Sequence, residues 1–228
     1  TYFSPYPWLE EHLIAKNKLD LLKAVREVIP EGMKFSFAEQ KEPKGNGHAV
    51  LVAKDLVGTR DFIVMWPDDV YVNIRGEGVL KQLLKVYDEF GGMVENIMEF
   101  PTSEMVRYGC LKGTVRDGRV VHARGLVEKP KLGEVPSNYA SMGPKILPNV
   151  IMDILPEVQK GGNGEINLTD AMNLAAERGV KLSGVLCDVM RFDCGTNKDL
   201  ERANLKLSLM EDPELRCYCK ELLDTMFV

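Results

Sequence analysis

The chain has 228 residues, of which 45% are hydrophobic and 28% charged, as is usual for a globular protein with one domain of generous size. Its formal net charge of −5 argues against generic binding to nucleic acid or to an anionic membrane surface. No apolar run approaches the about 20 residues that span a bilayer, and residues 1–13 lack the basic and apolar regions of a signal peptide.

The cysteines indicate a reducing compartment. Their number is odd, no CxxC pair occurs, and the spacing of the last two is poor for zinc. We therefore expect free thiols in a cytoplasmic protein. The five are Cys110, Cys187, Cys194, Cys217 and Cys219.

The first part of the chain predicts helices followed by a short strand. Leu, Lys and Glu recur at helical spacing from Trp8 to Val28, with a break near Asn17. Residues 35–40 resemble a short strand. The apolar segment after Gly47 is ambiguous between helix and strand, because periodicity alone cannot separate the two in so short a run.

The middle of the chain alternates strands and helices. Residues 61–66 are apolar on both faces, which predicts a central parallel strand. A helix is expected over residues 77–90 and a strand over 93–98. The stretch that follows reads as a hairpin with Asp117-Gly118 as its two-residue turn.

The last part predicts further strands and helices and a helical tail, in which Asp212 caps the last helix. The expected strands cover 139–147, 180–186 and 189–192, and the expected helices 149–158 and a stretch from about Thr169. The alternation predicts an α/β fold: a doubly wound, mostly parallel sheet with helices on both faces and an antiparallel hairpin insertion. We expect one domain over 1–228, with residues 197–228 as a tail that could serve in oligomerisation.

Two acidic positions follow predicted strands. Asp68 and Asp69 come after the strand at 61–66, and Asp193 ends the strand at 189–192. Ligands of open parallel sheets bind beyond the carboxyl ends of the strands, and carboxylates there suit Mg²⁺. A turn or a helix cap explains each of these acids equally well from spacing alone.

Two more stretches carry candidate chemistry. In Gly45-Asn46-Gly47 the glycines allow backbone N–H groups to approach a ligand, and Gln40 upstream could read the edge of a base. Glu128 could accept hydrogen bonds from sugar hydroxyls, and Lys129 could bind a phosphate. An ordinary turn and an exposed strand edge are the simpler explanations of these two stretches.

The order of these pieces is more specific than any one of them. Gln40, Gly45-x-Gly47-His-Ala, PDD, RYG, VEKP, GEINLTDA and FDCGT follow one another along nearly the whole chain. This succession resembles the bacterial-type UTP–glucose-1-phosphate uridylyltransferases, which are sugar nucleotidyltransferases with a Rossmann-like fold. The resemblance implies a helix after Gly47 and an enzyme that forms UDP-glucose and pyrophosphate from UTP and glucose-1-phosphate.

The resemblance also implies a set of site residues. The implied metal is Mg²⁺ on Asp68 and Asp193, the implied catalytic residues are Asp68 and Lys129, and a homo-oligomer is expected. The implied nucleotide-binding residues are Gln40, Gly45, Gly47 and Asp69, and the implied sugar-binding residues are Gly109, Glu128 and Glu165.

The chain departs from the family at several places. It begins with Thr1 and lacks the family's opening strand, Gly-rich loop with Arg and Pro-Lys motif, so we expect an N-terminally truncated and inactive chain. Gly143-Pro144-Lys145 stands where the family usually has an aromatic after the glycine. A sister enzyme that uses dTTP or another hexose phosphate, a non-catalytic paralogue that binds sugar nucleotides and a fragment that binds nothing remain as alternatives.

Overall fold

The computed structural model describes residues 6–158 and 164–226. Contacts within the chain divide it into two compact units, Thr1–Glu39 and Gln40–Val228. The sequence predicts one domain over 1–228; all predicted site residues lie in the second unit. Residues 227 and 228 of the predicted tail lie outside the described residues.

The first unit contains two helices, α1 (Pro7–Ala15) and α2 (Leu19–Glu27). Leu13 and Leu22 are its buried side chains, and Arg26 pairs with Glu10 at 2.7 Å across the two helices. Both helices and the break at Asn17, whose φ is 53°, agree with the sequence. The strand predicted over 35–40 is wrong: this segment is irregular, and none of the strands in the described ranges pairs with it.

The second unit holds the remaining α-helices of the described chain. The resemblance implies a helix after Gly47, and the structure has one that begins at Asn46 and includes Gly47. The tail consists of two helices. The helices are α3 (Asn46–Leu51), α4 (Lys54–Val57), α5 (Val79–Phe90), α6 (Val150–Ile154), α7 (Leu168–Glu177), α8 (Asn197–Glu211) and α9 (Pro213–Met226). None of the helices in the described ranges is long and apolar enough to cross a membrane.

The strands of the second unit form a large sheet and a small one. The large sheet has the order β5-β6-β9-β3-β8-β4-β7, with β1 paired to β8, and the small sheet joins β2 to β10. The strands are β1 (Phe62–Val64), β2 (Asp69–Asn73), β3 (Met93–Glu99), β4 (Gly109–Lys112), β5 (Val115–Asp117), β6 (Val120–Ala123), β7 (Gly125–Glu128), β8 (Tyr139–Leu147), β9 (Leu182–Leu186) and β10 (Val189–Asp193).

The predicted α/β class is confirmed, but the sheet is mixed and not mostly parallel. Among the described pairings only β3 with β9 is parallel, since β8 runs antiparallel beside β1, β3 and β4. The strand predicted at 61–66 is neither central nor parallel. It shortens to β1, which pairs antiparallel with β8 alone, because an apolar run reports burial and not direction.

The segment predicted as one hairpin forms four strands, β4 to β7. Asp117 pairs with Val120, so the tight turn is Gly118-Arg119, one residue later than predicted, with Gly118 at a φ of 57°. Strands β4 and β7, which flank the β5–β6 hairpin in the sequence, pair with each other from Gly109 to Lys112. This second pairing matters for function because it places Glu128 opposite Gly109.

Helices cover both faces of the large sheet. Successive residues of β3 point to opposite faces, so Met93 joins the core with α6 and α7, while Val94 joins the core with α5. Leu83 of α5 and Ile151 of α6 are fully buried on these two sides. The large sheet is thus packed on both faces, and most of the predicted site residues described next lie at strand ends or in loops.

Candidate functional site

The two predicted metal acids converge. Asp68 lies in the turn before β2, and Asp193 ends β10, which pairs with β2 so that Asp193 faces Asp69. The N–H of Cys194 donates to the carbonyl of Asp68 at 2.8 Å. A Cβ on Gly195 would lie 3.2 Å from a carboxylate oxygen of each acid. Those two oxygens are therefore no more than twice that distance apart, and both side chains are exposed to solvent.

The alternative role of Asp193 as a helix cap belongs to another residue. The hydroxyl of Thr196 accepts a hydrogen bond from the N–H of Asp199 and so caps α8. Asp193 instead accepts from the N–H of Gly195 at 3.2 Å. In the described part of the chain no group of three or more His, Cys, Asp or Glu side chains could hold a metal. Two carboxylates nonetheless fit Mg²⁺, which often takes one or two and completes its shell with water and substrate phosphate.

Asp69 sits deeper than Asp68 and is engaged by the protein. Arg191 donates to Asp69 at 2.5 Å and also contacts Asp193 at 3.1 Å. The Tyr71 hydroxyl donates to the other oxygen of Asp69 at 3.3 Å. Burial, and then the charge of Asp69, raises the pKa of Tyr71 well above its ordinary value, so the phenol keeps its proton. Both oxygens of Asp69 thus have internal partners, and its predicted nucleotide contact stays a prediction.

Glu128 owes its position to the glycine across the strand pair. A Cβ on Gly109 would lie 3.1 Å from Oε2 of Glu128, and the Thr169 hydroxyl donates to the same oxygen at 3.2 Å. Lys129 follows with a φ of 41°, a left-handed conformation that costs about 1 kcal/mol or more outside glycine. Its N–H donates to the carbonyl of Tyr108 at 3.1 Å, and its side chain is exposed.

The glycines predicted to cradle the nucleotide pack against another segment of the chain. A Cβ on Gly45 would lie 2.6 Å, and one on Gly47 2.8 Å, from the carbonyl oxygen of Ile166. The N–H of Gly47 donates to that oxygen at 2.9 Å, so this donor is already used. Internal packing therefore already requires both glycines, and their contact with a nucleotide stays a prediction.

Gln40 and Glu165 flank this packed segment. The Gln40 amide lies 3.0 Å from the Gly45 carbonyl and 2.9 Å from Nδ1 of His48. Glu165 is half-buried, and its Cβ is 3.0 Å from the position of a Cβ on Gly45. The structure therefore brings Gln40, Gly45, Gly47 and Glu165 into one cluster at the start of α3.

A cavity of about 220 Å³ joins several of these residues. Trp66 packs on Gly143 at one wall, where a Cβ would lie 3.2 Å from the indole. Of the predicted residues, the cavity is lined by Asp69, Gly109 and Glu128. The further lining residues are Asn46, Trp66, Arg107, Tyr108, Ser141, Met142, Gly143, Lys145, Thr169 and Arg191.

A second cavity, of about 520 Å³, lies beside the first and reaches Asp193. The two cavities share Arg107, Tyr108 and Arg191. Arg202 and Lys206 of α8 add positive charge to the second one. The pair of cavities thus places cations around one of the two converging acids, as an anionic ligand requires.

The floor of the first cavity carries a buried ion pair that the sequence did not reveal. Lys145 forms a short contact with Glu95 and lies 2.6 Å from the Ser141 hydroxyl, which donates to Glu95 at 2.7 Å. Glu95 is fully buried, and its second oxygen is without a hydrogen-bond partner in the described structure. Arg191 could have been found by its place two residues before Asp193 on the same strand. The partners Glu95 and Lys145 carry no such local signal.

Comparisons with known proteins match most of the chain to one family. Residues 6–209 match the family model described as nucleotidyl transferase. A UTP–glucose-1-phosphate uridylyltransferase of Pseudomonas aeruginosa is 36% identical over 188 residues, covering 82% of this chain and 67% of that protein.

Solved structures are similar over a larger share of the chain. The UTP-bound UGPase from Acinetobacter baumannii matches 99% of this chain and 77% of its own, with a TM-score of 0.86 and 30% identity. A UDP-glucose pyrophosphorylase complexed with UDP-glucose matches 96% of this chain and 75% of its own, with a TM-score of 0.76 and 30% identity.

Proposed function

Because the chain belongs to the nucleotidyl transferase family, and within it to the UTP–glucose-1-phosphate uridylyltransferases, we propose that its first cavity binds the glucosyl part of UDP-glucose beside a cation on Asp68 and Asp193. In the reaction of a UTP–glucose-1-phosphate uridylyltransferase, a phosphate oxygen of glucose-1-phosphate forms a bond to the α-phosphorus of UTP. The bond from that phosphorus to the β-phosphate breaks, and pyrophosphate leaves. UDP-glucose is a precursor in carbohydrate metabolism, to which we assign the protein.

The observation that carries the proposal is the meeting of Asp68 and Asp193 at Gly195. Two exposed carboxylates so close together repel each other unless a cation lies between them. When bound there, Mg²⁺ supplies positive charge to the phosphate that is attacked. Arg191 contacts the other oxygen of Asp193, the one that does not face Gly195, and so helps to fix its carboxylate.

The sugar end of the site consists of Gly109, Glu128 and Lys129. The Glu128 carboxylate accepts hydrogen bonds from sugar hydroxyls, while the Thr169 hydroxyl fixes one of its oxygens. Lys129 orients the sugar phosphate as a point charge. Its strained backbone supports this role, because such conformations cluster at functional sites.

The nucleotide end is the cluster at the start of α3. Gln40, held by Gly45 and His48, reads the base, and Gly45 and Gly47 bring the chain close to it. Glu165, whose Cβ is 3.0 Å from the position of a Cβ on Gly45, contributes to binding of the sugar. Asp69 shapes the floor between the two ends through its pairing with Arg191.

Two broader assignments go with this function. The described cysteines are all free, including the buried Cys110, whose pKa is raised to about 11 by burial and then by the charge of Glu128. Free thiols support a cytoplasmic location. The exposed apolar residues of α9 support a homo-oligomer.

The test is calorimetric titration of UDP-glucose into this chain, with Mg²⁺ and with a chelator. We expect the chelator to weaken binding by about tenfold or more, equivalent to about 1.4 kcal/mol. Asp193→Asn should show the weak affinity in both conditions, because one ligand of the cation is lost.

Asp117→Asn is the matched control, since Asp117 is also exposed but lies in the β5–β6 hairpin. It should bind as the unmodified chain does. No UDP-glucose binding in either condition would refute the proposed site. Binding that is equally tight with and without Mg²⁺ would refute the cation on Asp68 and Asp193.

A further inference from the structure

The ammonium group of Lys145 is held rigidly at the floor of the first cavity. Its side chain is 9% exposed, and that of Glu95 is not exposed at all. Glu95 and the Ser141 hydroxyl each take a hydrogen bond from Lys145. An ammonium has three donors, so one donor remains beyond these two contacts.

Fold stability does not account for this ion pair. Removing two charges from water costs about as much as their attraction returns, and well-packed apolar residues of similar volume are often as good or better. The unpartnered second oxygen of Glu95 adds to the cost. Lys145 and Ser141 line the cavity whereas Glu95 lies behind it, so the arrangement presents a fixed donor to whatever the cavity binds.

We propose that Lys145 is a specificity-determining residue of the sugar subsite, donating a hydrogen bond to a hydroxyl group of the bound hexose. The inference rests on the proposed function, since it names a contact within the same site. Ser141 connects the two parts of that site: it pairs with Gly109 across the sheet, and Gly109 pairs with Glu128. A hydroxyl can donate to Glu128 or accept from Lys145, so a hexose meets both an acceptor and a donor.

The charges of the cavity favour a neutral group over a sugar carboxylate. Of the three cations among its described lining residues, Arg191 and Lys145 are already paired with carboxylates. The third cation, Arg107, and the Glu128 carboxylate are the remaining charges of the described lining, and they balance in number. A carboxylate on the sugar would therefore add an uncompensated charge, whereas a hydroxyl adds none.

The decisive variant is the double substitution Glu95→Met with Lys145→Met. It removes the donor without leaving a buried charge unpaired, so the fold should survive. Binding of UDP-glucose and of UDP is measured on the chain with each protein. We expect UDP-glucose affinity to fall about 10- to 100-fold in the variant while UDP affinity is unchanged, the effect of losing a hydrogen bond to a charged group.

Lys181→Met is the matched control, because Lys181 is exposed and donates to the Phe90 carbonyl outside the cavity. It should leave both affinities unchanged. A series of monodeoxy analogues of UDP-glucose then identifies the hydroxyl. Removing that hydroxyl should weaken binding to the unmodified chain but not to the double variant, because the two changes delete one interaction.

The outcomes separate this inference from the proposed function. If the unmodified chain binds UDP-glucose and the double variant binds it equally well, the role of Lys145 is refuted and the proposed function stands. Tighter binding of UDP-glucuronic acid than of UDP-glucose, lost in the double variant, would refute the hydroxyl and identify a carboxylate. No binding of UDP-glucose to the unmodified chain would refute the proposed function itself.

Discussion

At the scale of single residues, the site depends on a position without a side chain, Gly109, as well as on the side chains that line it. Gly109 lies in regular β4, so its backbone would accept any side chain. The Glu128 carboxylate fills the space in which a side chain would stand. The glycine is therefore required by its neighbour and not by its own conformation.

The substitution Gly109→Ala tests this dependence. The added methyl group would lie 3.1 Å from Oε2 of Glu128 and would displace the carboxylate by a few tenths of an ångström. We expect UDP-glucose affinity to fall about tenfold, with stability changed by less than about 1 kcal/mol, since β4 accepts alanine. Calorimetric titration and urea unfolding give the two quantities.

Gly133→Ala is the control, because no atom lies within 4 Å of the position of its Cβ. It should change neither quantity by more than about 0.5 kcal/mol. If Gly109→Ala binds UDP-glucose as tightly as the control does, Glu128 does not contact the sugar from its present position.

Several site residues could be predicted at this scale, and others could not. Asp68 and Asp193 lie close together as expected, but the reason differs: Asp68 precedes β2, Asp193 ends β10, and the antiparallel pairing of these two strands brings the acids together. The role of Lys145 could not be predicted. It depends on the contact with Glu95 and on the shape of the cavity, and the pairing of β3 with β8 determines both. Reading from one sequence reveals residues at strand ends better than residues that act through a distant partner.

At the scale of elements, the start of α8 connects the proposed cation site to the tail. Asp193 ends β10, and Thr196 caps the helix three residues later. The Thr196 hydroxyl donates to the Asp199 carboxylate at 2.6 Å, and this hydrogen bond lowers the pKa of Asp199 below its ordinary value. The first turn of α8 therefore depends on one hydroxyl and one ionised carboxylate.

Two measurements of amide hydrogen exchange test this cap. Thr196→Ala should increase exchange in the first turn of α8 about fivefold, which corresponds to the about 1 kcal/mol of a lost cap. Because the pKa of Asp199 is lower in the folded state, its contribution is complete above the ordinary Asp range near 3.9. In the second measurement, the protection of the first turn of α8 against exchange should therefore decrease as the pH falls through the lowered pKa of Asp199.

Thr225→Ala provides the comparison within the tail. The Thr225 hydroxyl donates backwards to the Leu222 carbonyl within α9 and caps no helix start. Its exchange pattern should stay as in the unmodified chain. Equal protection of the first turn of α8 with and without the Thr196 hydroxyl would contradict the capping role.

The elements themselves were largely predictable, whereas their arrangement was not. The helices α1, α2 and α5 and the strand β8 follow the sequence pattern closely, since their apolar periodicity is long. The direction of β1 and the extra strands around the hairpin did not follow. Both depend on which distant strand lies alongside, and periodicity contains no such information.

At the scale of the whole molecule, α9 leaves apolar surface uncovered. Leu222 is 41% and Met226 64% exposed, and with Leu215 and Cys219 they recur at helical spacing as an apolar stripe along α9. Leu215 and Cys219, earlier on that stripe, are half-buried. Exposed apolar side chains that share one face of a helix are typical of an association site.

We expect the chain to associate with itself through this surface. The double substitution Leu222→Glu with Met226→Glu should shift the mass measured by light scattering from an oligomer to the 25.6 kDa of one chain. Lys220→Glu, an exposed change on the same helix, should leave the mass unchanged. A monomer at every concentration of the unmodified chain would contradict the prediction.

The small sheet of β2 and β10 has a consequence for how the molecule is made. Its two strands come from far apart in the chain, and Asp68 and Asp193 meet only after they have paired. While the chain is being synthesised, the proposed cation site therefore cannot form until β10 has left the ribosome. Any ligand that requires this site stabilises only the finished fold and contributes nothing to partly made chains. Occupancy by such a ligand would thus distinguish complete molecules from nascent ones.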